Sequence, residues 1–222
     1  MILLCGLALW ATEALAESEP CPEANATVVF EDQSQALMAC AAAKGAIGFW
    51  ADWDLAGSTP LTIEVVEGLT PVHGRHLFGM YDAPTSTIKI LSLTACQESV
   101  GANPIFGMAF DEELYRSFIV HEVAHAIADQ IFAVDIPSIA AHEYIAYVAQ
   151  LATMPVMLRD RILSWASVEG FVDEYEISEI YLGFSPEHFA LKSYLHYLRP
   201  ENGKAFVNRL LTGDFVPESG FE

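Results

Sequence analysis

Residues 112–132 carry the most regular pattern in the chain. Leu114, Phe118, His121, His125, Ala128 and Phe132 share one stripe at spacings of three and four, and Ile119, Val120, Val123, Ala124, Ile127 and Ile131 make the other faces apolar as well. This predicts a helix buried nearly all round. Asp111 suits its N-cap, and Glu112 and Glu113 suit the positive end of its dipole. A second mostly apolar helix is expected over residues 136–151, capped by Asp135 or Ser138. Alternation predicts a strand over residues 61–66. Two further strands, 76–81 and 87–93, are joined through Asp82, Ala83, Pro84 and Thr85 as a hairpin. The Ala-rich stretch 33–54 reads as a helix broken at Gly45. Further helices are expected over 155–166, from Ser185 and Pro186 to about Leu198, and over 203–211 with a stop at Gly213. Residues 17–26 read as a loose N-terminal stretch and 94–109 as a loop. Strands followed by helices give an α+β class, with a small N-terminal sheet and a helical C-terminal half. Residues 17–222 have the length of one domain.

The core helix contains an unusual set of polar groups, His121-Glu122-Val123-Ala124-His125, an H-E-x-x-H motif. Four residues make about one helical turn, so both imidazoles project from one face and can grip one metal ion. Glu122 then lies beside that ion, where a carboxylate can take a proton from water. The plain alternative is a pair of core histidines with an incidental glutamate. Ionisable groups inside an apolar helix are costly unless paired or coordinated, which favours the metal.

A catalytic zinc ion usually has three protein ligands and one open position. The metzincin extension is excluded, because Ala128 and Ile131 stand where it needs Gly and His. The next helix offers His142 and Glu143. Neighbours on a helix point about 100° apart, so one of the two faces the metal. Asp129, one turn past His125, is either an acceptor for its second ring nitrogen or a solvated side chain near the helix end.

At these residues the chain resembles the gluzincin branch of the zincin metallopeptidases. His121, Glu122, His125 and Glu143 match that family's ligand, base, ligand and ligand positions. The run from His121 to Asp129 looks like the thermolysin-type pattern. The resemblance covers about residues 61–154. It implies a zincin-like fold, a Zn2+ cofactor held by His121, His125 and Glu143, Glu122 as general base, and hydrolysis of peptide bonds in a peptide or protein substrate. It also implies that a sheet edge strand binds extended substrate. The family often has Asp four residues after the ligand Glu; here Tyr147 stands there, with a phenol as the available partner for a ligand histidine. His188, Tyr194, His196 and Tyr197 are the candidates for an oxyanion-stabilising donor. The second reading is a zincin-like protein that binds a peptide or protein partner without cutting it.

The formal charge of −20 argues against nucleic-acid or anionic-membrane binding, which need basic patches. The apolar run from Met1 to Ala11 is too short to span a bilayer, and Ala14-Leu15-Ala16 follows it. Residues 1–16 therefore read as a signal peptide and the product as secreted or periplasmic, without a membrane span in the mature chain; the alternative is a buried first helix. Three cysteines remain: Cys21–Cys40 and Cys40–Cys96 are both open as disulfides.

Overall fold

A computed structural model describes residues 16–53, 55, 57–70 and 77–219. The expected signal segment, Ala16 apart, and His76 lie outside the described residues.

The fold is α+β. Among the described residues a five-stranded mixed sheet combines with eight helices. The strands are β1 (Glu17–Pro20), β2 (Ala26–Phe30), β3 (Leu61–Val66), β4 (Gly79–Asp82) and β5 (Thr87–Leu91), in the spatial order β1-β2-β3-β5-β4. β2, β3 and β5 run parallel, and β1 and β4 close the two edges antiparallel. Alternate side chains Val28, Phe30, Leu61, Ile63, Ile88 and Ile90 are buried, as a sheet with one face on a core requires.

The helices are α1 (Gln33–Ala51), α2 (Leu93–Val100), α3 (Glu112–Ile131), α4 (Ile139–Thr153), α5 (Val156–Trp165), α6 (Glu179–Phe184), α7 (Pro186–Tyr197) and α8 (Gly203–Thr212). α3 is the central element, packing on α1, α4 and β4. Ala36, Ala39, Ala43 and Ala46 of α1 are fully buried, and their small side chains let the helices approach closely. Asp111 caps α3 by accepting from the Leu114 N–H at 2.9 Å, and Ser138 caps α4 by accepting from Ala141 at 3.1 Å. Among the described residues no helix is long and apolar enough to cross a membrane.

Several expectations need correction. Residues 17–26 are not loose: β1 pairs with β2, and the Cys21–Cys40 disulfide closes the segment onto α1. That settles the choice of pairing and leaves Cys96 as a buried thiol. Three exposed residues and a half-buried Glu19 carry no hydrophobic alternation, so β1 exists through its partner. α1 continues through Gly45, since one glycine costs a packed helix only about 1 kcal/mol. The supposed loop after residue 94 begins as α2, because Ser92 caps it through Ala95 N and the strand ends at Leu91. The hairpin is present, but its first strand begins at Gly79 and its turn is a short 3-10 segment.

The C-terminal half is tied to α4 by a buried hydrogen bond from the Tyr144 hydroxyl to His196 Nδ1, 2.7 Å. Burial, aided by the Arg199 charge, pushes His196 down to about 4 from an ordinary 6.5. A depressed folded value means that its contribution to stability is complete above about 6.5 and is lost as pH falls towards 4. After discounting for solvent screening, the loss is on the order of 2 kcal/mol. Urea unfolding of metal-free protein at pH 7 and pH 4.5 should show a smaller acid loss for His196→Gln than for the wild type. Equal losses would remove His196 from the acid response.

Candidate metal centre

α3 and α4 pack side by side, and the side chains at their interface converge. His121 and His125 lie one turn apart on α3, and Glu143 faces them from the first turns of α4. His121 Nε2 lies 3.0 Å from His125 Nε2 and 3.3 Å from Glu143 Oε2, and His125 Nε2 lies 3.6 Å from Glu143 Oε1. Bonds of about 2.05 Å at tetrahedral angles set ligand atoms about 3.3 Å apart. The three separations, which run to both oxygens of Glu143, lie around that value. The donor set, two imidazoles and a carboxylate, is one that first-row divalent metals accept. This partly buried His-His-Glu group can therefore hold a metal ion.

The electrostatics fit the same picture. Burial alone would raise Glu143, but the His121 and His125 rings against it hold its carboxyl well below the usual range. It is an anion aimed at the two imidazoles. Glu122 is 8% exposed and is pushed up to about 7 by burial, with His125 lowering it and Glu143 raising it. Its side chain lies across Gly79 of β4: a Cβ at Gly79 would sit 2.7 Å from the Glu122 carboxyl carbon. Only glycine leaves this room, so the edge strand and the candidate base touch.

Residues 26–220 match the model of a family described as a family of unknown function, DUF6639. The chain belongs to that family. No curated protein and no solved structure matches it.

In this DUF6639 chain, Glu143 rather than His142 faces the two motif histidines. The His142 ring instead packs 4.6 Å from Phe132 and 5.7 Å from His125, and burial pushes it down to about 4, with the His125 charge adding. Asp129 bears on Tyr81 of β4, whose phenol is raised by burial and by the Asp129 charge. The Tyr147 ring lies tilted against His121, with ring centroids 4.6 Å apart. Its phenol is raised well above the ordinary value by burial and by the charges of Glu143, Glu122 and Glu187, so it stays protonated as a donor.

The acceptor for His121 is Gln150, whose Oε1 lies 3.1 Å from His121 Nδ1. Sequence reasoning missed it. The available signal was a lone amide in an apolar helix, seven residues past Glu143 and so on nearly the same face.

Of the four candidate oxyanion donors, the two histidines are hydrogen-bonded within the protein and the two tyrosine rings are packed in stacks. His196 bonds Tyr144, and Tyr194 and Tyr197 stack together, with Tyr197 also on Trp53. His188 is held by the Ser185 hydroxyl at 2.7 Å under the Trp165 ring.

Proposed function

We propose that this chain is a zinc-dependent metallopeptidase, with His121, His125 and Glu143 holding Zn2+ and Glu122 acting as general base. The observation that carries the reading is the convergence of two imidazole nitrogens and the Glu143 carboxylate to within 3.0–3.6 Å of one another, with a buried carboxylate on the adjacent residue. When bound, zinc supplies Lewis acidity towards water and the scissile carbonyl. Glu122 takes the proton of the attacking water and passes it to the leaving amine. Glu143 contributes the one negative charge among the ligands, and Tyr147 offers a phenolic proton beside them.

Substrate binding follows from the sheet. The Leu91 N–H bonds Phe78 O at 2.8 Å, which makes Phe78–Leu91, Met80–Lys89 and Asp82–Thr87 the hydrogen-bonded pairs of the β4–β5 ladder. The backbone groups of Gly79 and Tyr81 then point away from β5, along the edge beside α3. An extended peptide adding to β4 would pair with those two residues. Its backbone would pass Gly79, against which Glu122 rests.

The Cys21–Cys40 disulfide supports an oxidising compartment, hence a secreted or periplasmic protein. The second reading, a protein that binds a peptide without cutting it, draws on the engagement of His188, Tyr194, His196 and Tyr197 in packing. One experiment separates them. Purified full chain is incubated with a broad peptide library, with and without a chelator, and the metal content is measured. Cleavage that the chelator stops and added zinc restores is expected; bound metal without cleavage favours the second reading.

A further inference from the structure

A chain of three hydrogen bonds leads away from the metal-facing histidine. The Ser117 hydroxyl donates to Leu114 O at 2.7 Å, Gln150 Nε2 donates to Ser117 Oγ at 3.0 Å, and Gln150 Oε1 lies 3.1 Å from His121 Nδ1. Both side chains are sealed from solvent: Gln150 is 0% exposed and Ser117 5%.

The direction of this chain is forced from its far end. A backbone carbonyl can only accept, so the single hydroxyl proton of Ser117 goes to Leu114 O. Ser117 Oγ is then an acceptor towards Gln150, and only the amide NH2 can supply its hydrogen. The amide oxygen must therefore face His121, and an oxygen there requires a proton on His121 Nδ1. The neutral imidazole then has its lone pair on Nε2, the atom that faces His125 and Glu143.

We infer that Gln150 and Ser117 are positioning residues that lock His121 in the tautomer able to bind a metal. The inference rests on the proposed metal centre for its purpose, but the lock exists whether or not a metal is present. It takes the place of the carboxylate that often orients a ligand histidine. The role has moved from the position of Tyr147, one turn past Glu143, to Gln150, two turns past it. A neutral acceptor adds no negative charge, so Glu143 is the only anion among the groups that hold or orient the ion. The anchoring serine matters because an amide can rotate. With Ser117 lost, Gln150 can present its NH2 to Nδ1 instead, which moves the histidine proton to Nε2 and blocks that ligand atom.

The test uses full-length protein and two readouts. The first is the tautomer of His121 in metal-free protein, read from two-bond 1H–15N correlation spectra of the imidazole at pH 8. The wild type should show the Nδ1–H tautomer of the neutral ring. Ser117→Ala and Gln150→Leu should lose that signature, and Gln150→Glu, which still accepts from Nδ1–H, should keep it. The second is affinity for Co2+, measured by chelator competition with the ion's visible bands as the signal. Gln150→Leu should bind about 10- to 100-fold more weakly. Ser117→Ala should also weaken binding, and Gln150→Glu should recover to within a few-fold of the wild type.

A wild type whose neutral His121 carries its proton on Nε2 and not on Nδ1 overturns the proposal. So does a Gln150→Glu protein as impaired as Gln150→Leu, since that pattern belongs to a core defect. A wild type that shows the expected tautomer yet takes up no Co2+ sinks the metal centre and leaves the lock standing.

Discussion

Glu143→Ala is expected to lose stoichiometric metal, with affinity falling by more than about 100-fold. Removing a partner of a ligand already costs 10- to 100-fold, and Glu143 is itself a proposed ligand and the only anionic one. The carboxylate bridges the two histidines at 3.3 and 3.6 Å, so its loss leaves two imidazoles and no charge to offset the ion. His142→Ala is the matched control, because its ring packs on Phe132, 5.7 Å from the His125 ring. Equilibrium dialysis with metal analysis reads both. Tight metal in Glu143→Ala together with loss in His142→Ala would transfer the third ligand to His142.

The second large effect belongs to Glu122→Gln. The substitution keeps size and packing against Gly79 but removes the basic oxygen. Metal content should stay at the wild-type level while peptide hydrolysis falls by about 10³-fold, within the range that general acid–base catalysis contributes. Stability should move the other way. A carboxyl raised to about 7 contributes favourably below about 4.5, and that contribution is lost as pH rises through 7. Metal-free Glu122→Gln carries no such liability, so at pH 8 it should melt above the metal-free wild type. Loss of activity with gain of stability is the pattern of a functional group held against its folding preference. Undiminished hydrolysis in this variant would remove Glu122 from the reaction, and a lower melting point would make it a structural residue.

Much of this was legible in the chain because it rests on local rules. The apolar stripe through Leu114, Phe118 and Ala128, with a cap at Asp111, fixes α3 without knowledge of its neighbours. One helical turn between His121 and His125 fixes their common face. What could not be read depends on partners distant in sequence. β1 is a strand because β2 lies beside it and Cys40 waits on α1. Gln150 reaches His121 only through the packing of α4 on α3, and the same packing decides between His142 and Glu143. Gly79 looks like an ordinary strand residue until Glu122 is laid across it.

The Cys21–Cys40 bond spans 19 residues at one end of the fold. By chain-entropy arguments a cross-link of that span takes roughly 3 kcal/mol from the unfolded ensemble. α3 and α4 have no covalent tie of this kind; with the proposed ion in place, their closure is ionic, and it favours the folded form by mass action. The molecule would then hold its two halves with fasteners drawn from different external supplies, an oxidant for the N-terminal strands and a cation for the central helices. Its lifetime would depend on where it resides as much as on its own packing. A reducing, metal-poor medium would loosen both fastenings of the same chain at once.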